Sequence, residues 1–260
     1  MDYAAYLLIG ILAGFIGGLL GLSGGVITVP CLFIIFRTLD FPQGYLMHMA
    51  IGTSLAAMVP NSFVSAWVHN RRGAVAWHLI RLLLPSVLIG SIIGAVLAHY
   101  TPGVWLEAFF GLFALAYGLY LLLKKRPPSG KERQLGWWTC SWMGFSIGSI
   151  SNLLGIGGGI ITAPLLMSYR YEEKISIGTS AAIGVVVTLF GALAYLYLGI
   201  DTIHVSKSIG YLYIPAFLVI AVASALTAPY GAYLAHRLSG KNLRRVFAIA
   251  LLIIGLLMII

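Results

Sequence analysis

The chain has 260 residues, of which 60% are hydrophobic and only 9% are charged, whereas a typical soluble domain carries about 25% charged residues. So few polar side chains cannot cover a compact body in water, which excludes a water-soluble protein and indicates a protein that lies in a lipid bilayer. The net charge of +9 would suggest nucleic acid as the partner of a soluble protein.

Apolar runs between charged residues predict where the chain crosses the membrane, because a helix needs about 20 apolar residues to span the hydrocarbon core. Eight segments are predicted, near residues 4–36, 44–68, 79–98, 104–123, 137–169, 175–198, 208–235 and 243–260. The expected fold is an all-α integral membrane protein. We divide it into a first membrane repeat (1–123), a cytoplasmic linker (124–136) and a second membrane repeat (137–260).

Three short motifs recur in the same order in the two halves of the chain. The matched stretches are 21–30 with 155–164, 51–54 with 177–180, and 94–99 with 231–236. Each match includes glycine or polar positions, so chance similarity between leucine-rich runs is a poor explanation. The pattern indicates an internal duplication, with four segments in each copy.

The first segment of each half is too long for a simple span, and a glycine cluster interrupts it near its middle. If each of these segments re-enters the side it came from, each half crosses three times and the second half is inverted relative to the first. The positive-inside rule then places fourteen of the sixteen basic residues in the cytoplasm and only Arg37 and Lys207 outside. Eight full crossings would divide them nine to seven. We therefore predict six crossings, two glycine-broken re-entrant hairpins and both termini outside, and this asymmetry explains the net charge without nucleic acid.

The glycine clusters allow a helix to break inside the membrane, because glycine tolerates left-handed backbone and close approach of other groups. A half-helix that restarts there presents unpaired N–H groups and the positive end of its dipole, which favours an anion. For Gly10, Gly14 and Gly18, packing at GxxxG spacing is the preferred interpretation. The glycines assigned to substrate binding are Gly24, Gly25, Gly157, Gly158 and Gly159.

Hydroxyl groups near the breaks can donate hydrogen bonds to an oxyanion without adding a permanent charge. We expect Thr53 and Thr179, from the repeated Ile-Gly-Thr-Ser motif, to meet about a pseudo-twofold axis. The alternative is that each hydroxyl bonds a carbonyl four residues back in its own helix. The hydroxyl candidates are Ser23, Thr28, Thr53 and Ser54 in the first half and Ser151, Thr162, Thr179 and Ser180 in the second.

Two amides lie well inside predicted segments, Asn61 and Asn152. Asn152 is a candidate substrate ligand because it comes three residues before Gly155, and interhelical hydrogen bonding is the alternative for both. His48 is a candidate proton carrier, six residues before Ser54.

Other chemistry has little support in the sequence. Cys31 and Cys140 show no CxxC spacing, so neither a disulfide nor a zinc site is expected. Cys31 directly follows Pro30, and a contact between Cys31 and the substrate is left open. No Asp or Glu lies in the middle of a segment, which argues against an intramembrane protease and an acid-lined cation path. We expect no enzymatic activity, because no nucleophile has a placed base. We also expect no metal and no cofactor.

The two copies of GxxGGxxxxP at 21–30 and 155–164, each followed by Ile-Gly-Thr-Ser, resemble the TauE/SafE sulfite exporter family, also called the toluene sulfonate uptake permeases. The resemblance covers essentially the whole chain. It implies transport of a small sulfur-containing anion, such as sulfite, sulfoacetate, thiosulfate or a related organosulfonate, across a bacterial or archaeal inner membrane. The first motif has Ser23 where the second has Gly157, so the two half-sites need not contribute equally.

The resemblance and the residues together predict an exporter that works by alternating access at a midplane site. An inside-negative potential favours the exit of an anion by about 2.3 kcal/mol per charge per 100 mV, so export can run without a coupled ion. An anion channel and an uptake permease for thiosulfate or sulfonates are the alternatives, and the oligomeric state is left open.

Overall fold

The structure, a computed structural model, describes residues 2–20, 24–39, 41–123, 133, 135–235 and 240–259. Most of the linker expected at 124–136 therefore lies outside the described residues, as does Ser23. Within the described part, the chain forms ten α-helices, one short 3-10 helix and one two-stranded hairpin.

The helices of the first half are α1 (Asp2–Leu20), α2 (Gly25–Thr38), α3 (Leu46–Arg71), α4 (Trp77–Tyr100) and α5 (Gly103–Leu123), with the 3-10 helix Gln43–Tyr45 before α3. Those of the second half are α6 (Trp137–Leu154), α7 (Gly159–Ser168), α8 (Glu173–Gly199), α9 (Ile214–Ala235) and α10 (Gly240–Leu257). Between α8 and α9, strands β1 (Ser208–Ile209) and β2 (Leu212–Tyr213) pair antiparallel. Each predicted segment corresponds to one helix or to one broken pair of helices.

Five of the described helices, α3, α4, α5, α8 and α9, are long and apolar enough to cross a membrane. The expected all-α membrane fold is confirmed at this level. The largest buried cluster draws on both halves, with Phe36 of α2, Met58 of α3 and Tyr195 of α8 among its members.

One predicted segment begins later than the sequence suggests. The apolar run 208–235 reads as a single span, but α9 starts only at Ile214 and the residues before it form the hairpin. Gly210 explains the difference, because its φ of 56° lies in the left-handed region and a Cβ there would overlap the carbonyl oxygen of Leu196. The hairpin therefore turns tightly against the last turn of α8.

The glycine stripe of α1 packs against α9. A Cβ placed on Gly10 would meet Ala223, one on Gly14 would meet Ser224, and one on Gly18 would overlap the backbone of Ala228. Small residues at these positions let two helix backbones approach closely. The packing interpretation of the three glycines is confirmed.

The second half packs in the corresponding way on the first. In α6, a Cβ on Gly144 would overlap Ser86 and one on Gly148 would overlap the carbonyl of Val87, both on α4. The first helix of each half thus packs along the fourth helix of the other half, α1 on α9 and α6 on α4.

In the centre of the molecule, the two halves contact each other through helices α3 and α8. A Cβ on Gly52 would lie 3.2 Å from the Cβ of Tyr195, and one on Gly191 would lie 3.0 Å from a methyl of Leu55. Since the residue numbers rise on one helix while they fall on the other, α3 and α8 run antiparallel.

Candidate functional site

The second helix break needs glycine because its backbone is left-handed at three positions. Gly155, Gly157 and Gly158 have φ values of 71°, 68° and 82°, which side chains with a Cβ rarely adopt. In the first break the described part begins at Gly24, which has the same φ of 82°. Both breaks therefore have the local backbone that the glycine clusters predict.

Each break folds the chain back along the helix that precedes it. A Cβ on Gly24 would meet Ala13, and a Cβ on Gly158 would lie 3.6 Å from a methyl of Ile147. In both cases the neighbour is eleven residues earlier in the chain. The two halves thus use the same fold-back, which is the local geometry that a re-entrant hairpin requires.

The two breaks meet in the interior. A Cβ on Gly25, the first residue of α2, would overlap the carbonyl oxygen of Gly155 and would lie 2.9 Å from the Cα of Ile156. A Cβ on Gly155 would in turn lie 2.9 Å from a methyl of Val29. Residues 24–25 and 155–160 are all buried, so these backbones touch with no room for a side chain.

Side chains from three helices surround the second break. Ser54 of α3 donates a hydrogen bond from Oγ to the Gly155 carbonyl at 3.3 Å. Tyr195 of α8 donates from its hydroxyl to the Asn152 carbonyl at 3.0 Å. Asn152 donates from Nδ2 to the carbonyls of Gly148 at 3.3 Å and Val187 at 3.4 Å. The bonds with Tyr195 and Val187 hold the C-terminal end of α6 against α8, and the bond from Ser54 holds the break against α3.

Two buried polar atoms at this place lack a hydrogen-bond partner among the described residues, Asn152 Oδ1 and Ser151 Oγ. Both residues are fully buried, and a buried polar group without a partner costs about 1–3 kcal/mol. Buried polar atoms without a partner are rare in folded proteins, and a bound ion or water is one explanation for them. Ser151 supplies a hydroxyl donor beside the break, whereas Asn152 Oδ1 is an acceptor that faces Gly191 of α8, where a Cβ would overlap it.

Three of the other predicted hydroxyls bond carbonyls of their own helix. Thr28 Oγ1 donates to Gly24 O at 3.2 Å, Thr162 Oγ1 donates to Gly158 O at 2.9 Å, and Ser180 Oγ donates to Ile177 O at 2.8 Å. This is the local bonding that the sequence left open as the alternative to substrate binding. Thr28 and Thr162 occupy equivalent positions in the two halves.

The expectation that Thr53 and Thr179 meet is wrong. Gly52 lies against Tyr195, which is seventeen residues further along α8 than Gly178. At 1.5 Å per residue, the two Ile-Gly-Thr-Ser motifs are therefore about 25 Å apart. The antiparallel course of α3 and α8 is the reason, because it sends matching positions to opposite ends of the helix pair.

His48 lies near the start of α3, in a cluster of rings around the hairpin. Its Nε2 donates to the Ala98 carbonyl at 3.0 Å and its ring stacks on Tyr211 with centroids 5.2 Å apart. His99 shares a hydrogen bond of 2.9 Å with the Tyr211 hydroxyl through Nδ1. The structure brings His48 to the hairpin and not to the glycine breaks, and its role as a proton carrier stays a prediction.

The remaining predictions concern the two cysteines, Ser23 and the absence of a metal site. Cys31 is half-buried and packs against the main buried cluster, and both Cys31 and Cys140 are free thiols. Ser23 lies outside the described residues. In the described ranges, no three His, Cys, Asp or Glu side chains lie together as a metal site would require.

Two tyrosines contribute to this region although sequence reasoning did not single them out. Tyr195 lies in a long apolar run, where an aromatic residue is indistinguishable from ordinary core. Tyr211 lies in a stretch that reads as the start of a span. No signal in one sequence marks either of them, since their roles depend on contacts with α3 and α6.

Two surface clefts lie away from the glycine breaks. One of about 400 Å³ is bordered by Ile200, His204 and Gly210, among others. A second, of about 490 Å³, is bordered by Tyr3 and Lys207, among others. Neither is lined by the described residues of the breaks, 24–25 and 155–158, which are buried.

Comparison with known proteins identifies the family. The family model for the sulfite exporter TauE/SafE matches residues 6–258. The chain is 32% identical over 253 residues to a probable membrane transporter protein of Haemophilus influenzae, covering 96% of this chain and 95% of the relative. It is 27% identical over 255 residues to a probable membrane transporter protein of Methanocaldococcus jannaschii, with 98% and 94% covered.

A third relative is the probable membrane transporter protein YunE of Bacillus subtilis, 23% identical over 274 residues with 98% and 96% covered. No solved structure matches the chain. Because the family model spans nearly all of the sequence, the chain belongs to the TauE/SafE sulfite exporter family of membrane transporters.

Proposed function

We propose that the protein exports a small sulfur-containing oxyanion, such as sulfite or sulfoacetate, across the inner membrane by alternating access at the place where its two glycine breaks meet. The observation that carries the proposal is the contact of Gly25 with the Gly155 carbonyl and the Ile156 backbone. Two helix starts, those of α2 and α7, follow directly on these breaks.

The chemistry of the breaks favours an anion. The first N–H groups of a helix have no partner within the helix, and the helix dipole is positive at that end. Each such end stabilises a negative charge by about 0.3–1 kcal/mol when exposed and by up to about 2 kcal/mol when partly buried. The Ser151 hydroxyl adds a hydrogen-bond donor beside the second break. All seven acidic residues of the sequence lie at segment ends or in connections, so no carboxylate opposes an anion in the interior.

The packing supports two inverted repeats. Helices α3 and α8 carry the same motif and run antiparallel. The pairs formed by α1 with α9 and by α6 with α4 are reciprocal. Inverted repeats that place broken helices face to face are a common way to build a transporter with a midplane site. In this arrangement the two halves rock against each other around the breaks.

The distribution of charge supports the orientation. With two re-entrant hairpins, fourteen of the sixteen basic residues lie on the side of the central linker, which the positive-inside rule assigns to the cytoplasm. The inside-negative potential then drives the anion outwards by about 2.3 kcal/mol per charge per 100 mV.

A flux and binding screen on purified protein tests the proposal. The protein is reconstituted in liposomes and offered sulfite, thiosulfate, sulfoacetate, sulfate and chloride. We expect saturable flux of at least one sulfur oxyanion, inhibited by the others that bind, and no comparable flux of chloride. Binding to none of the sulfur compounds would overturn the proposal. Flux that rises without saturation would replace the transporter by an anion channel.

A further inference from the structure

The first Ile-Gly-Thr-Ser motif contacts two different parts of the protein. Ile51 and Ser54 face the second break, because a Cβ on Gly155 would lie 3.0 Å from a methyl of Ile51 and Ser54 bonds the Gly155 carbonyl. Residues three apart share one face of a helix, whereas the two between them face elsewhere. Gly52 and Thr53 accordingly face the hairpin.

The contact of Thr53 with the hairpin is a pair of hydrogen bonds. Its Oγ1 accepts from the Tyr213 amide at 3.0 Å and donates to the Tyr211 carbonyl at 3.5 Å. A Cβ on Gly52 would lie 3.0 Å from the same carbonyl. A glycine and a threonine hydroxyl together hold the hairpin backbone directly on α3.

The second copy of the motif holds the backbone of the loop between α3 and α4 on α8. Thr179 Oγ1 accepts from the Ala76 amide at 3.0 Å, and a Cβ on Gly178 would overlap the Ala74 carbonyl. Residues 72–76 connect α3 to α4, and residues 200–213 connect α8 to α9. Each copy of the motif therefore holds the equivalent connecting loop of the other half.

Each loop contains a buried residue in contact with the glycine of its motif. Tyr211 is 0% exposed and Ala74 is 4% exposed. The Ala74 amide also donates to the His69 carbonyl at 3.1 Å. In the hairpin, burial raises the pKa of the Tyr211 phenol to about 12, so the phenol keeps its proton at neutral pH and can donate a hydrogen bond to His99 Nδ1. The loops close opposite ends of the α3–α8 pair, about 25 Å apart.

We propose that Thr53 and Thr179 are the positioning residues of two gates. The hairpin gate is residues 208–213 held by Thr53, and the Ala74 gate is residues 72–76 held by Thr179. The inference rests on the proposed function, since alternating access needs one closure at each end of the molecule. Opening a gate breaks the bonds of its own threonine only. Ile51 and Ser54 link the hairpin gate to the second break, where the anion binds in the proposed function.

Access of a thiol reagent from each side tests the gates. The reporter is Ser151→Cys, a buried position of nearly unchanged shape next to the second break, in a chain with Cys31→Ala and Cys140→Ala. A membrane-impermeant maleimide is added to one side of the membrane at a time. The free energy lost with one hydrogen bond is enough to shift the equilibrium between the closed and the open gate by about tenfold.

We expect Thr53→Val to speed labelling by about tenfold from the side of the hairpin gate and by less than about threefold from the other side. Thr179→Val is expected to show the reverse sidedness. The matched controls are Thr53→Ser and Thr179→Ser, which keep the hydroxyl and should label at the rate of the parent. Faster labelling from both sides, or from neither, would overturn the proposal.

Hydrogen exchange gives a second, independent readout that needs no reporter cysteine. Thr53→Ala should raise the exchange of amides in 208–213 and leave 72–80 unchanged, and Thr179→Ala should do the opposite. Exchange that rises at both loops in each variant would identify a general structural role and overturn the gates. Neither readout uses a substrate, so an absence of sulfite flux contradicts the proposed function alone.

Discussion

The glycine breaks and the Ile-Gly-Thr-Ser motifs are both present twice, yet the fold treats them differently. The breaks touch, with Gly25 against the Gly155 carbonyl, whereas the two Ile-Gly-Thr-Ser motifs lie about 25 Å apart along α8. In the proposed inverted arrangement, only motifs close to the symmetry axis can meet. Motifs further along the helices are sent to opposite ends, where they bind loops.

The largest effect is expected where the breaks touch. Gly25→Ala places a methyl group against backbone atoms that cannot swing aside, so it should lower the free energy of unfolding by about 1–3 kcal/mol and abolish flux. The matched control is Gly44→Ala, where a Cβ meets nothing within 4 Å. Thermal unfolding in detergent together with liposome flux checks both variants. Equal stability of the two would mean that the breaks do not touch as described.

The second-largest effect is expected for a negative charge beside the second break. Asn152→Asp places a carboxylate next to the proposed anion, and like charges brought together cost several kcal/mol. We expect sulfite affinity to fall by at least about tenfold, which corresponds to about 1.4 kcal/mol. The control is Asn70→Asp, the same change at an exposed position at the end of α3, and titration calorimetry measures both. Unchanged affinity in Asn152→Asp would place the anion elsewhere.

A smaller loss of stability is expected when the hydrogen bond between α8 and α6 is removed. Tyr195→Phe removes the hydrogen bond to the Asn152 carbonyl and should cost about 0.5–1.5 kcal/mol of stability. Tyr197→Phe, on an exposed ring of the same helix, should change stability by less than about 0.5 kcal/mol. If chemical denaturation finds no difference between the two variants, the bond does not support the break.

The smallest effects are expected for Thr28→Val and Thr162→Val. Both hydroxyls bond carbonyls of their own helix, so removing them should change sulfite affinity by less than about twofold, well under the worth of one hydrogen bond to a charged group. Sulfite affinity measured for both variants shows whether the two halves contribute alike. A large loss in either would show that the hydroxyl turns to the anion when it binds.

Much of the fold is predictable because hydropathy and glycine chemistry act locally. Apolar runs between charges located the helices, and the clusters at Gly24 and Gly158 located left-handed backbone that only glycine adopts readily. The hairpin at 208–213 was not predictable, because Ser-Ile-Gly-Tyr-Leu-Tyr contains no charged residue and runs directly into the apolar span that follows it.

The candidate site was only partly predictable for a different reason. The sequence shows that Thr53 and Thr179 are equivalent, but it does not show how far along α3 and α8 each lies from the crossing point. The contact of Tyr195 with Asn152 joins residues 43 positions apart. Such a contact depends on the packing of two helices and leaves no pattern in one chain.

If a sulfur oxyanion binds where the two glycine breaks meet, hydrogen exchange measured with and without sulfite should show it at the breaks themselves. We expect sulfite to slow exchange in peptides covering 24–28 and 155–160, and we expect Asn152→Asp to remove this protection. Protection confined to residues 200–210, or sulfite binding with no protection of either break, would contradict it.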